Sequence, residues 1–136
     1  YRPFINDDIA TWQWTTTNFA YAPQLGDTTA TEIYTFYTDS AQDKSRWLKY
    51  AGAQVDEAKR VVPNAPCYPF LWPVFHSGNN DFKGKPIPKD YFRLQLDFCK
   101  AHADGVVIWT ESKMKRVDFD DIPDWWEAVV EFIEEF

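Results

Sequence analysis

Three short β-type runs recur along the chain at nearly even intervals, and each is followed by a stretch of helical periodicity. They begin near Ile33 (IYTFYT), Cys67 (CYPFLWPVF) and Val106 (VVIWT), with starts 34 and 39 residues apart. Alternating strand and helix is the pattern of βαβ units, which build parallel sheets.

The helical stretches carry their own signals. Between the first two strands, Trp47, Ala51, Val55, Ala58 and Val62 recur every three or four residues, predicting a helix over Asp43–Val62 with one buried stripe. Ser40 with Asp43 resembles a capping arrangement, and Pro63 ends the helix. A second helix is expected from Pro88, with Phe92, Leu96, Cys99 and Ala103 on one face. A third starts near Pro123, after Asp120 and Asp121, and runs through Trp126, Val129 and Ile133. Glu131, Glu134 and Glu135 read as its solvated face.

Residues 1–30 are harder to place. The run TWQWTTTNFAYAPQLGDTT mixes alternation with polar stretches and fits a loop or irregular extension better than a helix. The chain thus divides into an irregular segment or upstream barrel remnant at 1–30 and a single domain of three βα units at 31–136. A closed parallel barrel needs eight units and about 250 residues, so the expectation is an α/β chain forming the C-terminal three βα units of a (β/α)8 TIM-type barrel. The nearly continuous apolar character of CYPFLWPVF suits a strand covered on both faces. Its second cover would come from an upstream part of the same enzyme or from a second copy. An open doubly wound sheet is the competing fold, but TFYTDSAQD lacks the glycines of a phosphate-binding turn.

Charge and composition narrow the partners. Fourteen basic against twenty-one acidic side chains give a net charge of −7, with no basic run to follow a phosphate backbone, so nucleic acid is not expected. No stretch of eighteen or more apolar residues occurs, and no membrane partner is expected. Chain length and 45% hydrophobic residues suffice for one core. The start at Tyr1 fits a cleaved or truncated parent. Cys67 and Cys99 lack metal-site spacing and are expected to be buried free thiols rather than a disulfide; no metal or cofactor is implied.

In parallel barrels the working residues cluster at the C-terminal ends of the strands. That rule selects Tyr34, Tyr37 and Asp39 after the first strand, then Trp72, His76, Asn79, Asn80 and Asp81, then Trp109, Glu111 and Lys113. Rings, carboxylates and amides are what glycosidic hydrolysis uses to orient a sugar and protonate its leaving oxygen. Each also has a plain structural role available. Tyr34 fits a packed barrel position, His76 an ordinary loop histidine, and Glu111 a surface partner of Lys113 or Lys115. Asp39 fits the cap of the following helix.

The stretches VDEAKRVV at 55–62, PCYPFLWPVFHS at 66–77 and ADGVVIWTES at 103–112, with IYTFY at 33–37, resemble the closing portion of hyaluronidase-type glycoside hydrolases. The resemblance covers roughly residues 30–112 and rests on four pieces in register. It implies a secreted (β/α)8 enzyme acting on a polysaccharide that contains N-acetylhexosamine, through attack by the sugar's own acetamido oxygen. Such enzymes depart from the two-carboxylate scheme. On this resemblance Tyr34 holds the acetamido group and Trp109 lines the same pocket. With the strand-end rule added, Tyr34 and Glu111 are the candidate catalytic residues, and Trp109, Trp72, Tyr37 and His76 the candidate substrate-binding ones. The family's Asp-x-Glu acid pair is absent from the first thirty residues, so the catalytic acid is expected upstream and the chain alone is expected to be inactive. Trp72 replaces a family arginine, and Trp109-Thr110-Glu111 replaces Trp-Gly-Asp, which points to a different sugar or a related barrel glycosidase. The alternative is a non-catalytic carbohydrate-binding or assembly module completed by self-association.

Overall fold

The computed structural model describes residues 9–19, 26–110 and 122–135. In chain order it contains α1 (Ile9–Phe19), α2 (Ala41–Val61), β1 (Phe70–Leu71), α3 (Lys89–His102), β2 (Val107–Ile108) and α4 (Asp124–Glu134). Among the described residues no helix is long and apolar enough to cross a membrane.

β1 and β2 pair in parallel, Phe70 with Val107 and Leu71 with Ile108. A third segment lies parallel on the other side of β1, through bridges of Thr29 with Cys67 and Glu32 with Phe70. The Tyr68 and Phe70 amides donate to the Thr29 and Thr31 carbonyls, both at 2.8 Å, and Ile33 N–H donates to the Phe70 carbonyl at 3.2 Å. This first segment thus begins pairing four residues before the predicted start at Ile33. The regular ladder is far shorter than CYPFLWPVF suggests, because Pro69 and Pro73 bracket β1 and supply no N–H.

Alternation along these segments separates two faces. Ile33, Thr35, Cys67, Leu71 and Phe75 are buried against α2 and α3, where Trp47, Tyr50, Ala51, Val55, Phe92 and Leu96 complete the core. The opposite face carries Glu32, Tyr34, Phe70, Trp72, Val107 and Trp109, none of them fully buried. Gly105 is required at its position on this face, since a Cβ there would lie 2.8 Å from the Tyr68 ring.

α2 forms as its signals direct. Ser40 Oγ accepts the Asp43 N–H at 3.2 Å, and the Asp43 carboxylate takes the Thr38 hydroxyl at 2.6 Å and the Thr38 N–H at 3.1 Å. Ser40, not Asp39, is therefore the cap. Trp47, Ala51 and Val55 are buried as the stripe requires, whereas Ala58 is only half-buried and the helix ends at Val61, leaving Val62 as a half-buried cap. In α3, Tyr91, Phe92, Gln95, Leu96, Phe98 and Cys99 are buried. Cys67 and Cys99 are buried free thiols, as expected, and burial, then the neighbouring Cys67, pushes Cys99 up to about 12.

Two expectations are corrected. Residues 9–19 are helical, although a run of threonines favours other conformations. The Thr15, Thr16 and Thr17 hydroxyls turn back onto the Thr11, Trp12 and Gln13 carbonyls, Trp12 is buried, and Thr16 and Thr17 hydrogen-bond Glu57 and Arg60 of α2. Tertiary contact decides the conformation here. In α4 the buried stripe is Trp125, Ala128, Val129 and Phe132, whereas Trp126 and Ile133 are exposed. The helix is apolar on both sides, and the edge contact of Trp125 with Phe92, at 5.9 Å, belongs to the side that packs. Asp120 and Asp121 lie outside the described residues. Glu131, Glu134 and Glu135 are exposed, with Glu131 paired to Lys89 and Glu135 to Arg93.

Candidate functional site

The sheet register gathers rings from all three parallel segments. Pairing of Phe70 with Val107 carries Trp72 and Trp109, two residues on, to the same face and level. Their rings stack with centroids 5.3 Å apart and planes 15° apart. Tyr34 lies 5.9 Å from Trp72, from Trp109 and from His76, edge-on to the first, tilted to the second and stacked on the third. His76 also packs edge-on to Trp72 at 5.8 Å and against Phe36 at 4.1 Å.

Four of the six candidate residues, Tyr34, Trp72, His76 and Trp109, thus form one cluster at the C-terminal end of the sheet. Tyr37 stands apart beneath the Arg46 guanidinium, 4.6 Å from its ring. Glu111, with Lys113, lies outside the described residues. Asn79 is a loop latch, its amide donating to the Phe36 carbonyl at 3.2 Å and its oxygen accepting the Asp81 and Phe82 N–H groups. Asn80, Asp81 and Asp39 are exposed.

The electrostatics of the cluster follow from burial and one carboxylate. Burial, then the charge of Glu32, raises the Tyr34 phenol above its ordinary value, while the Trp109 indole N–H, near the phenol but outside hydrogen-bond geometry, opposes them. Burial lowers His76, and Glu32 works against that shift. His76 Nδ1 accepts the Gly78 N–H at 3.0 Å, which assigns the proton of the neutral ring to Nε2. At neutral pH His76 therefore offers a hydrogen-bond donor. Burial also raises Tyr37, with Arg46 opposing and Asp43 adding.

Among the described residues, neither buried indole N–H group, of Trp72 or of Trp109, has a hydrogen-bond partner. Leaving such a donor unpaired costs about 1–3 kcal/mol, a strain rarely kept in a core without reason. Among the described residues no three His, Cys, Asp or Glu side chains converge as metal ligands would. A cavity of about 430 Å³ lies elsewhere, at the N-terminal end of the sheet beside Thr29, Gln54 and Glu57. Glu32 is the functional candidate that strand-end reasoning passes over. Its signal is its spacing, two residues before Tyr34 and so on the same face.

No family model and no curated protein matches the chain. Solved structures do. The monoclinic crystal structure of bee venom hyaluronidase superposes with a TM-score of 0.62 at 17% identity, over 93% of this chain and 38% of that one. The structure of bee venom hyaluronidase in complex with a hyaluronic acid tetramer gives 0.61 at 18%, over 92% and 36%. The chain therefore spans a little over a third of those proteins. At this identity the likeness defines the fold: mixed helix and strand with parallel pairing, similar to a hyaluronidase barrel.

Proposed function

We propose that the chain forms the last three βα units of a (β/α)8 glycoside hydrolase of the hyaluronidase kind and supplies the substrate-positioning side of its cleft. The observation that carries this reading is the Tyr34–Trp72–His76–Trp109 cluster at the strand ends of a hyaluronidase-like fold. Flat rings suit the apolar faces of sugars, and the strand ends are where parallel barrels keep their chemistry. In this reading the Tyr34 hydroxyl orients the acetamido group of an N-acetylhexosamine, Trp109 and Trp72 wall its pocket, and His76 donates from Nε2. Tyr37 extends the binding surface outward, and Glu111 is assigned to catalysis beside Tyr34. The proton donor belongs to an upstream part of the same enzyme, the substrate is a polysaccharide or oligosaccharide, and the enzyme works outside the cell.

Tyr34→Phe in the whole protein tests the assignment. It removes one hydroxyl and little volume, so loss of orientation appears in kcat more than in KM, by about tenfold or more. Unchanged kcat in a folded Tyr34→Phe protein sinks it.

A second reading, a carbohydrate-binding or assembly module completed by a second copy, draws on the incompletely covered ring-bearing face and on exposed Trp14, Trp126 and Ile133. A solution mass separates the two. A stable homodimer of the 16.0 kDa chain without hydrolytic activity in the whole protein favours the module.

A further inference from the structure

Among the described residues of the three parallel segments, Glu32 is the only carboxylate on the ring-bearing face, and it shares that face with one titratable base, His76. Its backbone is fixed, because it pairs with Phe70 and its carbonyl accepts the Tyr50 hydroxyl at 2.8 Å. The carboxylate itself is exposed and has no hydrogen bond or ion pair among the described residues. Alternation sets it on the face of Tyr34, one step deeper along the strand. Its charge acts on both the Tyr34 phenol and the His76 ring.

Among the described residues, three cations of the neighbouring elements are engaged with other groups. Lys44 pairs with Asp90 and Arg46 with Asp43, while Lys85 lies over the Phe82 ring. His76, lowered by burial, is neutral at pH 7. The described part of the cluster is thus an aromatic platform with a single, negative charge beside it.

We infer that Glu32 is a specificity-determining carboxylate of this cleft, accepting hydrogen bonds from the hydroxyls of a neutral sugar laid on the Tyr34, Trp72 and Trp109 rings and disfavouring uronate-bearing chains. The inference rests on the glycosidase reading above. An ionised carboxylate is purely an acceptor with two oxygens, matched to adjacent sugar hydroxyls, and such charge-assisted bonds are stronger than neutral ones. The same charge repels a uronate carboxylate, an effect that is greatest at low salt because the group is exposed. Attraction for one substrate class and repulsion of the other come from a single group.

The test compares two probes of equal length on the whole protein, an N-acetylglucosamine oligomer and a hyaluronan oligomer, titrated at low salt. The neutral oligomer is expected to bind more tightly. Glu32→Gln should weaken it about tenfold or more while leaving hyaluronan binding unchanged or improved. Glu32→Lys should reverse the preference. Tighter wild-type binding of hyaluronan, or equal affinities in wild type and Glu32→Gln, overturns the role of Glu32 and leaves the glycosidase reading standing. Binding of neither oligomer by the folded wild-type protein overturns both.

Discussion

The two faces of the short sheet are built from the same kinds of residue and put to different uses. On the helix side, Trp47 is fully buried, its indole N–H donates to the Ile33 carbonyl at 3.0 Å, and Tyr91 and Phe98 meet it edge-on. On the other side, Trp72 and Trp109 stack face to face, remain partly exposed, and find no partner for either indole N–H among the described residues. A tryptophan that closes a core has its ring enclosed and its donor satisfied. The Tyr91 hydroxyl and Gln95 Oε1 on the helix side also lack partners among the described residues, so what separates the two sides is the partial exposure of the strand-end rings.

Truncation on each side should expose this difference. Trp47→Ala removes a fully buried ring together with its hydrogen bond, and should lower unfolding free energy by about 3–5 kcal/mol. Denaturant titration of the two proteins measures it. A loss of under ~1 kcal/mol would mean that the helix side is not the core. Trp109→Ala should reverse the balance, costing less stability but lowering kcat/KM of the whole protein by about a hundredfold, near 2.7 kcal/mol of transition-state stabilisation. If instead Trp109→Ala unfolds the protein as Trp47→Ala does, the two faces are both core and the site dissolves.

Much of this division could be read from the residues, though unevenly. The repeated strand and helix pattern carries the alternation, and the strand-end rule picks out Tyr34, Trp72, His76 and Trp109, which the structure brings together. What escaped has physical causes. The helix of residues 9–19 depends on contacts of Thr16 and Thr17 with Glu57 and Arg60, more than forty residues away, which no local pattern records. The register of α4 is ambiguous because Trp125 and Trp126 are both large and apolar, and only packing on Phe92 selects between them. The shortness of β1 was written in Pro69 and Pro73, but the apolar run around them outweighed that signal. Glu32 escaped because the strand-end rule looks beyond the strand, whereas period-two alternation sets it within the strand, on the face of Tyr34.

The smallest expected effect lies at the rim between the faces, where α2 begins. The Thr38 hydroxyl, first, and then Arg46 and the Thr38 N–H, hold the Asp43 carboxyl below its ordinary value, against the effect of burial. A carboxyl depressed in the folded state favours folding while it is charged. That contribution is fully present above the unfolded value of about 3.9 and disappears as pH falls through the lower folded value. Thr38→Val removes the hydroxyl and keeps the N–H, so Asp43 should move back toward its unfolded value. The variant should therefore be less stable than wild type at pH 7, by about 1 kcal/mol, with the difference shrinking once the pH drops below about 4. Urea midpoints at pH 7, 4 and 2.5 trace the pH dependence. A difference that stays constant across that range would mean that Thr38 acts by packing alone. Unaltered kcat/KM in the same variant would keep this rim apart from the ring cluster, whereas a fall comparable with Trp109→Ala would extend the site to Tyr37 and the start of α2.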